Sequence, residues 1–401
     1  MKNRWLRFIV LYFAGLVIFL GQYKIVPVMG EISATFGVDT TSASLLSSSF
    51  MISGIILALP SAIILAKMGP KKLGILLLAC LIVGNVMGAL ATSFAVLMIA
   101  RIIEGIGFAF ILLLSMTLIG TWWKPEELAV PTGIFLTCSM LAPFITLGFF
   151  GQIAQAWGLP WLWYVCAILG VVALILVAAF IKDPPKAPAS EPQQEIKKQS
   201  IFIGFTNVRA IIVGGMVGVV IFVLQAYLTL YPSFFEFFYG LDTATANGLT
   251  SYAGLYALVV SIIAGIIIAK TGKLYPLTLI FFVGMVALSL TTFILPSMAA
   301  YHIHIIFMAI ITGFLLTAIM SMGPIVAKSP EMIGYTVATV NFVYYLCAFL
   351  GAPATSAFVQ ASGGDWSSAA ILLAILSVVG IVLTVVLMGI NKKIAAQKQA
   401  E

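Results

Sequence analysis

Charge is scarce in this chain: only 8% of its 401 residues are Asp, Glu, Lys or Arg, with two histidines and four cysteines. Two histidines, His302 and His304, cannot supply an H-E-x-x-H metal motif, and no G-x-x-x-x-G-K-[ST] phosphate loop occurs. A membrane metalloenzyme and a directly ATP-driven pump are thereby disfavoured. Cys80, Cys138, Cys166 and Cys347 all fall in apolar runs without paired or metal-ligand spacing, so they read as packing residues. No metal and no cofactor is expected.

What the chain has instead is apolar length. Hydrophobic residues make up 62% of it, in runs of about 20 residues, the length that crosses a bilayer as a helix. The expected fold is an all-α polytopic membrane protein. Twelve transmembrane helices are expected, at about 5–29, 42–66, 73–93, 94–119, 128–153, 160–181, 209–236, 243–269, 275–295, 300–326, 332–359 and 366–390. Eighteen of the twenty Lys and Arg residues fall on one side of that arrangement, which places both termini in the cytoplasm and the chain in the cytoplasmic membrane. The net charge of +7 follows from this bias and calls for no nucleic acid. The apolar run after Lys2, Arg4 and Arg7 lacks a small-residue cleavage site and reads as an uncleaved first span.

An internal repeat organises the spans. Residues 37–46 (GVDTTSASLL) resemble 240–249 (GLDTATANGL) at an offset of 203, and Ala66-Lys67-Met68-Gly69 meets Ala269-Lys270-Thr271-Gly272 at the same offset. Six spans separate equivalent points, so the copies cross in the same direction as parallel repeats. The expected division is an N-terminal six-helix bundle over 1–181, a polar cytoplasmic linker over 182–208, and a C-terminal six-helix bundle over 209–401.

With these motifs the chain resembles the major facilitator superfamily over its full length. Arg101-Ile102-Ile103-Glu104-Gly105-Ile106-Gly107 is similar to that family's R-x-x-[QE]-G-x-G signature, in the fourth span. The basic loops at Lys67, Gly69 and Lys71 and at Lys270 and Gly272 resemble its conformational loops, except that Ala66 and Ala269 stand where the family has Asp. Thr121-Trp122-Trp123-Lys124-Pro125-Glu126-Glu127 resembles the W-F-P-P-x-E-R stretch of its cyanate, nitrate and nitrite porters. The resemblance implies alternating access, a monomer, and a cavity lined by spans one, four, seven and ten.

The ionisable residues inside spans mark the candidate site. Lys24 lies roughly 8 Å and Arg101 roughly 10 Å from the outer end of its span. They are candidates for binding an anionic substrate, with snorkelling of Lys24 and an Arg101–Glu104 ion pair as the alternatives. At the repeat offset Gln22 meets Gln225, Lys24 meets Tyr227 and Arg101 meets His304, which adds Gln22, Gln225, Tyr227 and His304 to the substrate candidates, with Asn341 in span eleven. Glu104 and His304 are the candidates for carrying a coupling proton. The function these residues imply is proton-coupled transport of a small anion such as a monocarboxylate or cyanate. The alternative is proton-driven efflux of a drug-like organic compound. The absence of a charged residue in spans two and eight ahead of their terminal Lys counts against nitrate.

Overall fold

The computed structural model of the chain describes residues 4–123, 129–182, 203–328 and 332–400, and among these every regular element is helical. Lys124 to Glu127 of the Trp-rich stretch and residues 183–202 of the linker lie outside the described residues.

The first pass is α1 (Arg4–Tyr23), continued through a short 3-10 turn (Val26–Val28) into α2 (Met29–Phe36). Pro27 has no N–H to give the helical ladder, and α1 ends before it. The second pass is cut into α3 (Thr40–Ser49), α4 (Ile52–Leu57) and α5 (Ser61–Met68), with Pro60 at the last break. Next come α6 (Pro70–Ala89) and α7 (Phe94–Trp122). The fifth pass comprises α8 (Ala129–Leu136), α9 (Cys138–Ile145), a π-helical turn (Thr146–Phe150) and α10 (Gly151–Trp157). Pro143 inside α9 frees a carbonyl from the ladder, and the wide turn follows directly. The sixth is α11 (Trp161–Phe180).

The second half is made of unbroken helices: α12 (Val208–Tyr239), α13 (Thr243–Thr271), α14 (Leu274–Thr291), α15 (Met298–Ile325), α16 (Ile333–Ala361) and α17 (Trp366–Ala400). Among the described residues eleven helical stretches are long and apolar enough to cross a membrane. The expected second span is the exception, because its breaks leave no long continuous helix. Counting it as a broken pass gives twelve, and an even count brings both termini to one end of the bundle. The opposite end is called here the far end.

Residues matched at the offset of 203 share local geometry. Asp39 accepts from the Ser42 amide at 2.7 Å to cap α3, and Asp242 accepts from the Thr245 amide at 3.0 Å to cap α13. Gly37 and Gly240 end the preceding helices with φ of 64° and 59°, a conformation glycine adopts without steric cost. Gly69 and Gly272, at φ of 78° and 63°, end the passes carrying Lys67 and Lys270, whose charges sit in the last helical turn, where the helix dipole favours them. Lys67 and Lys270 are exposed, and Lys71 is half-buried at the start of α6.

The halves meet along two seams. α16 packs against α3 and α4, and α13 against α9 and the π turn. Helix α5 packs on α6 and α7, and α8 on α7 and α9, within the first half. At the α13 seam the backbones are nearly touching: a Cβ on Gly254 would lie 2.4 Å from the Met140 carbonyl oxygen. Toward the far end the Asn247 amide donates to the Pro27 carbonyl at 3.1 Å, a bond between the halves.

Candidate functional site

Lys24, Arg101 and Glu104 are fully buried together inside the first half, toward its far end. Glu104 divides its carboxylate between two cations: Lys24 Nζ donates to Oε1 at 2.7 Å and Arg101 Nη1 to Oε2 at 2.7 Å. Lys24 also donates to Asn85 Oδ1, and the Asn85 amide is held by the Leu81 carbonyl at 2.7 Å. Two further donations from Arg101 reach the end of α1, where Nη1 meets the Gly21 carbonyl and Nη2 the Gln22 carbonyl at 2.8 Å, while Nε is buried without a partner. Helix ends leave such carbonyls without intrahelical partners, and a guanidinium there also answers the negative end of the helix dipole. Arg101 is thus both an ion-pair partner and the cap of α1.

The aromatic walls complete the enclosure. Lys24 Nζ stands 5.2 Å from the Trp163 ring centroid, and the Arg101 guanidinium 4.6 Å from that of Phe50. Helix α6 approaches closely enough that a Cβ on Gly84 would come within 2.6 Å of Glu104 Cγ. Four helices, α1, α6, α7 and α11, are therefore joined through three ionised side chains. Arg101→Lys cannot reproduce the planar fork that reaches Glu104 and two carbonyls at once. It is expected to cost about 2 kcal/mol of stability, read by denaturant unfolding of the purified protein.

The second half holds a neutral counterpart. At the offset of 203, Lys24 is replaced by Tyr227, Arg101 by His304, Asn85 by Leu288 and Trp163 by Trp366. Tyr227 Oη lies 3.2 Å from Ser289 Oγ and 2.9 Å from Thr292 Oγ1. His304 Nε2 donates to the Leu288 carbonyl at 2.8 Å, so Nδ1 is left as the acceptor for the Tyr231 hydroxyl. Tyr231 and Tyr301 pack against its ring, and Phe235 packs against Tyr301. Where the first half uses charges, the second uses hydroxyls and rings.

Between the halves lies a layer of amides and aromatics. Gln22 and Gln225 are both buried, with Tyr23 Oη a long 3.5 Å from Gln225 Oε1 and the Gln22 Nε2 group without a partner. Tyr345 of α16 packs edge-on to Phe108 of α7 at 5.7 Å and presses against Gly54 of α4.

The expectation that Lys24 and Arg101 present positive charge to a shared cavity needs correcting. They do meet at one depth, but with Glu104 between them and no exposed surface. Lys24 does not snorkel either, since its ammonium is held by Glu104 and Asn85. The cause is the low dielectric of the span, where a carboxylate is the least costly neighbour for a cation. His304 and Tyr227 sit within the second half, while Gln22 and Gln225 stand at the boundary between halves. Asn341 is half-buried on α16 and belongs to neither cluster. Asn85, Trp163, Tyr231 and Tyr345 were not singled out from the sequence; the Trp163–Trp366 match at the repeat offset was the available signal for one of them.

The family profile described as Major Facilitator Superfamily matches residues 11–352, most of the chain. The chain belongs to the major facilitator superfamily. This facilitator is 28% identical over 174 residues to the uncharacterized MFS-type transporter YcnB of Bacillus subtilis (strain 168), which covers 43% of the chain and 37% of YcnB. It is 27% identical over 227 residues to the quinolone resistance protein NorA of Staphylococcus aureus (strain MRSA252), covering 55% of the chain and 56% of NorA. These matches span only about a third to just over half of the relatives' own lengths. Over its whole length the facilitator shares its fold with a bacterial homolog of the human lysosomal transporter Spinster, solved in an inward-facing and occupied conformation. The TM-score is 0.71 at 18% identity, covering 97% of each chain. It is a multi-pass membrane protein of this family.

Proposed function

We propose that this facilitator moves an uncharged or cationic organic compound of drug-like size out of the cell, in exchange for protons, rather than a small anion. The observation that carries the reading is the enclosure of Lys24 and Arg101: both are fully buried and bound to Glu104, so neither is free to hold an anionic substrate. The layer between the halves offers Gln22, Gln225, Tyr23 and Tyr345, which suit an amphipathic molecule with a few hydrogen-bonding groups. The likeness to a relative named for quinolone resistance points the same way.

In this reading the bundles over 1–181 and 209–401 rock about the layer as a monomer in the cytoplasmic membrane, with the termini and the 182–208 linker on the cytoplasmic side. The seams along α3, α4 and α16 and along α9 and α13 are the closed side of the cycle. The loops carrying Lys67, Gly69 and Lys71 and Lys270 and Gly272 are the hinge points at the other side. Glu104 is the proton carrier: protonation would release one of its two cations and loosen α1 from α6 and α7. His304, with both ring nitrogens engaged, supports the second half instead.

Thermal unfolding of purified protein tests the cargo class. Tetraphenylphosphonium and a fluoroquinolone are expected to raise the unfolding temperature, by the equivalent of about 2.7 kcal/mol at a hundredfold excess over Kd, and Gln22→Ala with Gln225→Ala to weaken the response. Acetate, nitrate and cyanate are expected to leave it unchanged. Stabilisation by an anion that is lost in Lys24→Met would restore the anion reading and overturn this one.

A further inference from the structure

Above the Asn247–Pro27 bond, at the far end, a cavity of about 390 Å³ is lined by both halves. Its lining carries two carboxylates, Glu31 of α2 and Glu236 of α12, and no Lys, Arg or His. Asn247 also lines it; this residue is 2% exposed, and its amide nitrogen is taken by the Pro27 and Thr243 carbonyls at 3.1 and 2.8 Å. That fixes the orientation of the amide and leaves Oδ1 buried with no partner. A buried acceptor without a donor is costly, and a shift of the Asn247 side chain toward the cavity would let a ligand or water meet it. Trp366 adds an aromatic surface, packed on Phe234 and Phe293.

The far-end connections reinforce the sign. Asp242 and Asp365 border the lining residues Thr243 and Trp366, and hydrogen bonds from Thr245 and Ser367 hold both carboxyls below the usual Asp range, so both stay ionised at neutral pH. Among the described residues no Lys or Arg lines the cavity, and Lys24, two residues before the lining Val26, is enclosed with Glu104. Negative groups around a concave surface concentrate cations there.

We propose that this vestibule is a second binding site, separate from the layer between the halves, that takes an organic cation of ammonium type. Glu31 and Glu236 supply the charge, and Trp366 provides a cation–π face. A volume of this size accommodates a tetraalkylammonium or a small aromatic amine. The site stands whether or not the bound compound is then transported, so its test is read without transport.

The test uses the full chain with Ser233→Cys, an exposed position on the vestibule wall, and compares labelling by cationic and anionic methanethiosulfonates of similar size after subtracting the wild-type background. The cationic reagent is expected to react faster by about tenfold or more. Tetraethylammonium is expected to slow it saturably. Adding Glu31→Gln and Glu236→Gln is expected to remove both the preference and the protection. Equal rates, a preference that survives the double substitution, or a preference without protection would each overturn the site. Gln155→Cys, also on the wall, serves as the second position should Ser233→Cys not fold. A properly folded variant whose thiol is unreactive at both positions would overturn it too. Failure of the cargo reading would appear in the thermal screen and leave these labelling rates unaltered.

Discussion

Glu104→Gln is expected to lower the stability of the folded protein by about 3–5 kcal/mol, the largest single-site loss in the molecule. The wild-type cluster holds two cations and one carboxylate, all without exposed surface, so its net charge is +1. That residue of charge is partly answered by the Gly21 and Gln22 carbonyls at the end of α1. The amide substitution keeps the shape but leaves two buried ammonium-type charges facing a neutral oxygen. Removing one cation as well returns the cluster to a single positive charge. Lys24→Met/Glu104→Gln is therefore expected to be more stable than Glu104→Gln alone, with a coupling of about 1–3 kcal/mol. Denaturant unfolding of the wild type, Lys24→Met, Glu104→Gln and the double variant in one detergent measures it. Additive losses would show that the charges do not act as a unit. Proton-driven transport is expected to be absent in both Glu104 variants, since neither can bind and release a proton at that position.

The parts of this molecule that are legible in its sequence are those set by periodic or topological rules. Apolar length gives the spans, the distribution of Lys and Arg the sidedness, and the repeat at 203 the equivalence of Asp39 with Asp242 and Gly37 with Gly240. The breaks in the second pass are less legible: Pro60 is visible, but the interruption between Ser49 and Ile52 carries no Gly or Pro signal of its own. The site is legible as a set of residues and not as a geometry. Lys24, Arg101 and Glu104 stand out because charge inside a span is rare, yet whether they face a cavity or each other depends on the close approach of α6 at Gly84, and on Asn85 and Trp163. Such contacts join passes 61 to 80 residues apart in sequence, and nothing in local spacing encodes them. The vestibule was invisible for the same reason, since Glu31, Glu236 and Asn247 come together only when the halves dock.

In the proposed cycle the two halves separate at the far end once per turnover. Gly148 in the π turn and Ser251 in α13 face each other across the seam: a Cβ on Gly148 would stand 3.9 Å from Ser251 Cβ. Disulfides need a Cβ separation of about 3.5–4.5 Å, so Gly148→Cys with Ser251→Cys is placed to cross-link without displacing the backbone. The four native cysteines are free, with Cys138 and Cys166 buried, and the single substitutions control for them. The most direct measurement is uptake of a stabilising organic cation into inverted vesicles carrying the double variant, before oxidation, after it, and after reduction. The expected result is transport that falls to background when the cross-link forms and returns on reduction, with each single variant unaffected by oxidant. Undiminished transport by fully cross-linked protein would contradict the account, because the halves would then be carrying substrate without ever parting at this seam.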